Sequence, residues 1–195
     1  MGLFAKLFGA TPREQLKGIS LGRDAAWEVT PASDFPAFLR ALPQLLPPDS
    51  ILYLEGGAPP EQVKAFLDAH CVPEESHVAM GTIWPRPQAF HLPATGDNLS
   101  QLAQLAEKLA VPQAAVHLHV YAGGRVLLEW YDAFWKDPFY LSPAIPEDKV
   151  RSFCSSLSLT YKNLKQNAEP CASPNGGPAI RSGDSGAGGG PPSVS

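Results

Sequence analysis

The sequence predicts an α+β fold, a two-layer sandwich with a mainly antiparallel sheet, flanking helices and a disordered C-terminal tail. Three observations predict it. Stretches of strand length alternate with stretches whose apolar residues recur at three- and four-residue steps. Residues 116–131 form two strand-like runs joined only by Gly123 and Gly124, a connection short enough to force an antiparallel hairpin. From Gln166 to Ser195 more than half of the residues are Gly, Pro or Ser, too little apolar surface to offset the entropy of ordering.

Taken in order, residues 1–18 form an N-terminal amphipathic segment, with Leu3, Phe4, Leu7 and Phe8 as one apolar stripe suited to docking. Residues 19–165 form one α+β domain, and 166–195 the tail. Ser33 and Asp34 can cap a helix with Pro36 in its first turn, turning Phe35, Phe38, Leu39 and Leu42 inward. Ile51 to Leu54 is a short apolar strand between a Pro-Pro-Asp turn and Gly56-Gly57. Pro59-Pro60-Glu61 opens a second helix, with Val63, Phe66 and Leu67 on one face. Val78 to Ile83 and Gln88 to Leu92 are expected as paired strands around Trp84-Pro85-Arg86-Pro87, where the prolines confine pairing to an edge. Asp97 or Asn98 is expected to cap a helix carrying Leu99, Leu102, Leu105, Ala106 and Leu109, stopped by Pro112. After the hairpin a proline-rich loop leads to a last helix, with Glu147 and Asp148 at its positive end and Val150, Phe153 and Leu157 inward. The resulting order, βαββαββα, is ferredoxin-like in its first six elements.

Composition narrows the function classes. The chain has 195 residues, 44% of them hydrophobic, and a formal net charge of −4. A nucleic-acid binder needs a basic stripe to neutralise phosphates, and none is present. No apolar run reaches the roughly 18 residues of a transmembrane segment. Cys71, Cys154 and Cys171 are odd in number and far apart, unlike a secreted disulfide framework, so a cytoplasmic location is expected. No cofactor is expected, because neither a dinucleotide fingerprint nor a phosphate loop is present; EGGAPPE after the first strand would repel an anion.

Two stretches carry candidate chemistry. In a two-residue hairpin with unbroken register, Tyr121 faces Val126, His119 faces Leu128 and His117 faces Trp130. His117 and His119 then share one face with Leu128 and Trp130, and Glu129 takes the other. Packing on these apolar neighbours is the plain reading of both histidines. The chemical alternative is a metal-dependent or acid–base hydrolase centred on His117 and His119, with His91 and Asp132 as weak candidate ligands. No HExxH or similar local spacing supports it.

The second stretch alternates aromatics with carboxylates where the hairpin ends. Trp130, Asp132, Phe134, Trp135, Asp137, Phe139 and Tyr140 are expected to form an interaction surface, because rigid amphipathic rings and a few carboxylates make good anchors. A protein partner is expected there, and a cationic one would suit the rings. The competing role is structural, with Trp130 and Phe134 filling the core and the aspartates capping turns. The function expected from sequence is therefore a non-enzymatic interaction or regulatory module.

Overall fold

The computed structural model describes residues 18–82, 87–109 and 111–167. Seven antiparallel strands form one sheet: β1 (Trp27–Val29), β2 (Ile51–Glu55), β3 (Ala89–Pro93), β4 (His117–Ala122), β5 (Arg125–Trp130), β6 (Phe139–Leu141) and β7 (Tyr161–Asn163). Their order across the sheet is β3-β2-β4-β5-β6-β1-β7, so the β4–β5 hairpin is central. Four helices of two or more turns complete the described residues: α1 (Phe35–Leu45), α2 (Glu61–His70), α3 (Gly96–Ala106) and α4 (Glu147–Ser156).

The helices form where the sequence places them. Asp34 caps α1 by accepting from Ala37 N at 2.9 Å, and Pro36 sits in the first turn. The face of α1 holding Phe35, Phe38, Leu39 and Leu42 is buried. The α3 cap is Thr95, not Asp97 or Asn98: its Oγ1 accepts from Asn98 N at 3.2 Å. Pro60 precedes α2 and Pro146 precedes α4, each in extended backbone that a proline adopts without cost.

One layer of the core lies between the sheet and the helices. Leu52, Leu54, Leu118, Val120, Leu128, Trp130, Phe139 and Leu141 of the sheet meet the buried faces of the helices. Phe38 of α1 is the hub, with ring centroids 5.4 Å from Trp130, 5.5 Å from Phe134 and 5.7 Å from both Phe139 and Phe153. Rings this close and mostly edge-on add to the stabilisation that burial alone gives.

The element order differs from the expected one in two places. Between α2 and α3 a single strand among the described residues, β3, pairs with β2; residues 78–82 of the expected partner form no strand. Val78 instead makes an isolated parallel bridge to Ile19, with Ile19 N donating to His77 O at 2.7 Å and Ala79 N to Ile19 O at 3.0 Å. It lies across the sheet because Ile51, Tyr53 and Tyr121 need apolar cover there. The three-residue strands β1, β6 and β7 extend the sheet on its other side. The N-terminal stripe at Leu3, Phe4, Leu7 and Phe8, Ile83 to Arg86, and the tail from residue 168 on lie outside the described residues.

Candidate functional site

The hairpin turns at Gly123 and Gly124, whose φ values of 53° and 72° glycine adopts without steric cost. Its register is not the unbroken one expected. Tyr121 pairs with Val126, but Val120 pairs with Leu128, His119 with Glu129 and Leu118 with Trp130. Leu127 is the extra residue of a β-bulge, and Ser142 N caps its carbonyl at 2.8 Å. The bulge lets Leu127, Leu128 and Trp130 all join the helix-side core. It also moves Glu129 onto the face of the histidines, the reverse of the expected arrangement.

The face away from the helices therefore carries a polar cross-strand row. His91, Tyr53, His119, Glu129, Tyr140, Glu28 and Lys162 are successive register partners across all seven strands. Residues 18–23 and 77–82 lie over it, clasped by two buried carboxylates. Glu55, fully buried, accepts from Tyr53 Oη at 2.8 Å, Gly81 N at 3.1 Å and Thr82 N at 2.6 Å. Glu129 accepts from Leu21 N at 3.0 Å and from Nε and Nη2 of Arg23 at 3.2 and 3.0 Å. The Arg23 guanidinium also lies 4.4 Å from the Tyr140 ring centroid. Burial, and then the Glu55 carboxylate, push the Tyr53 phenol well above its ordinary range. Burial, and then Glu129, push Tyr131 up to about 12.

The two histidines have different surroundings. His117 Nδ1 accepts from the backbone N–H of Asp132 at 3.0 Å, so the proton of the neutral ring sits on Nε2, which donates to Thr82 Oγ1 at 3.2 Å. In that tautomer His117 cannot draw a proton from Thr82. Gly81 packs so closely that a Cβ there would lie 2.6 Å from His117 Nε2. His119 is 1% exposed, between the rings of Tyr53 and Tyr131, and neither nitrogen has a hydrogen-bond partner. Burial first, then His117 and Arg23, bring it down to about 3, so it is neutral at physiological pH. His91 is held by Tyr121 Oη at 3.0 Å, and Asp132 is exposed. Among the described residues no group of three or more His, Cys, Asp or Glu is placed to hold a metal ion. Cys71 and Cys154 are free thiols, both pushed up to about 11 by burial.

The aromatic–acidic stretch divides. Trp130 and Phe139 are fully buried, Phe134 packs on Trp130 with centroids 4.3 Å apart, and Tyr140 lies beneath Arg23. Asp132, Trp135 and Asp137 face solvent. Trp135, 67% exposed, is the one exposed large hydrophobic residue among those described. It lines a concavity of about 370 Å³ with Ala115, Val116, Ala133, Asp132 and Asp137.

The turn that presents Trp135 is strained and heavily anchored. Phe134 has a φ of 64°, in the left-handed region that bulky residues rarely occupy, and Asp132, of a residue type that tolerates that region, has a φ of 47°. Four bonds hold the turn. Asp132 N donates to His117 Nδ1, Ala133 N to Val116 O at 2.8 Å, and Trp135 N to Asp132 O at 3.1 Å. Trp130 Nε1 donates to Asp137 O at 3.2 Å. The ring of Phe134, wedged on Phe35, Phe38 and Trp130, is the fifth anchor. The anchoring role of His117 was not legible in sequence, because the left-handed turn after Tyr131 leaves no residue signature. Comparison with protein-family models, with curated proteins and with solved structures finds no match for the chain.

Proposed function

We propose that this chain is a non-catalytic binding module that engages a protein partner through the turn of residues 131–137. The observation that carries this is Trp135: an exposed indole at the edge of a concavity, on a backbone held in a strained conformation by five anchors. Strain of this kind costs about 1–3 kcal/mol per residue and persists where the surroundings over-determine it, often at binding sites. An aromatic anchor presented on a rigid turn loses little conformational entropy on association. Across the described residues no helix is long and apolar enough to cross a membrane. The free thiols of Cys71 and Cys154 support a cytoplasmic setting as part of this reading.

The test is site-specific crosslinking. A photoreactive amino acid replaces Trp135 in one protein and in another the exposed Arg125, at the end of β5 opposite the turn, and both are irradiated in native lysate. A discrete adduct at position 135, absent at 125 and competed by unmodified protein but not by its Trp135→Ala variant, is the expected result. Identical adduct patterns at the two positions overturn the proposal.

A further inference from the structure

Resting on that reading, we infer that the partner presents a basic segment, and that one Arg or Lys side chain of it occupies the Trp135 concavity. Three features select this chemistry. Asp132 and Asp137 both line the concavity and are both exposed, and no ion pair among the described residues engages either carboxylate. Lys136, between them in sequence, is not among the lining residues. Ala115, Val116 and Ala133 form the apolar part of the lining, suited to the methylene stem of a long cationic side chain. Trp135 supplies the ring on which a guanidinium or ammonium stacks most favourably.

The same chain already makes this arrangement internally. Arg23 is received by Glu129 with two hydrogen bonds while its guanidinium lies over Tyr140 and 5.8 Å from Tyr131. Carboxylate plus ring is thus the combination by which this fold binds its own arginine. At Trp135 both components stand at the surface, and no cation of the described residues pairs with them. A phosphate backbone is excluded by the same two aspartates, and a purely aliphatic anchor would leave both carboxylates partly desolvated without compensation.

The probes are three Gly/Ser peptides of equal length carrying a central run of arginines, leucines or glutamates. They are titrated into the full chain while the Trp135 indole N–H resonance and the backbone amide resonances of Asp132, Ala133 and Asp137 are followed, the amides alone in the variant that lacks the indole. The arginine peptide is expected to shift that resonance saturably. Trp135→Ala removes the site, and Asp132→Asn with Asp137→Asn weakens binding about tenfold, in line with charge-assisted hydrogen bonds. Asn tolerates the left-handed backbone at position 132, so the turn is retained in that variant. A leucine peptide that binds at Trp135 as tightly and ignores the Asn substitutions overturns the cationic class but leaves the turn a protein-binding site. Arginine-peptide binding that survives Trp135→Ala overturns the inference as diffuse charge attraction. Silence of Trp135 towards all three peptides overturns it too, and the crosslinking result then judges the binding reading on its own.

Discussion

His119 is the least satisfied side chain of the described residues, with two buried nitrogens and no partner for either. Burying such groups without compensation costs about 1–3 kcal/mol. His119→Leu, close in volume and apolar, is therefore expected to stabilise the protein by about 1–2 kcal/mol at neutral pH, read by chemical denaturation. The pH dependence has a definite sign. The unfolded imidazole takes up its proton near 6.5 and the folded one only near 3, so between those values the unfolded state binds more protons. Stability is lost as pH falls through that window, at up to about 1.4 kcal/mol per pH unit from this group. The Leu variant should flatten the slope; an unchanged slope means that another group causes the acid sensitivity. His91, held neutral chiefly by burial, acts in the same direction. That His117 and His119 lie on one face was legible from strand alternation alone. Which residues accompany them was not, because the bulge at Leu127 is decided by how much of the hairpin the helix-side core can take.

Among the elements, the helices were readable because their apolar spacing and prolines agree; the residues expected to face inward on α1 and α2 are buried. The strands β1, β6 and β7 were not, since three residues carry too little alternation to stand out from a loop. The clasps over the polar face were equally hidden: they pair residues more than a hundred positions apart, as in Leu21 with Glu129. Of the expected interaction surface only Asp132, Trp135 and Asp137 are open, because Trp130, Phe134 and Phe139 are taken by the Phe38 cluster and Tyr140 lies beneath Arg23. The clasp of residues 21–23 makes its own prediction. Arg23→Ala leaves the buried Glu129 with only the amide of Leu21. Because Arg23 is half exposed, the expected cost is limited to about 1–2 kcal/mol. The specific sign is faster amide hydrogen exchange at Leu21, Ile19 and Ala79 with the hairpin amides unchanged. Uniformly faster exchange across the sheet would show that the segment is not a separate clasp.

At the scale of the molecule, the sheet is completed by pairing its earliest strand with its latest ones. β1 lies between β6 and β7, and Leu164 N donates to Ala26 O at 3.0 Å. A chain ended after Ser158 loses β7 and bares the edge of β1. Its stability should fall by about 2–4 kcal/mol, at roughly 1 kcal/mol per lost hydrogen bond plus the packing of Tyr161 on Trp27. It should also self-associate through the bared edge, visible by light scattering. A truncated protein as stable and monodisperse as the full chain would make β7 dispensable. The same placement sets a clock on synthesis. Trp27 to Val29 leaves the ribosome first among the strands but has no neighbour until Phe139 to Leu141 has followed it out, and no second neighbour until Tyr161 to Asn163 has. The nascent chain therefore carries an unmatched strand until its sixth and seventh strands have emerged, and this side of the sheet is assembled after the central hairpin.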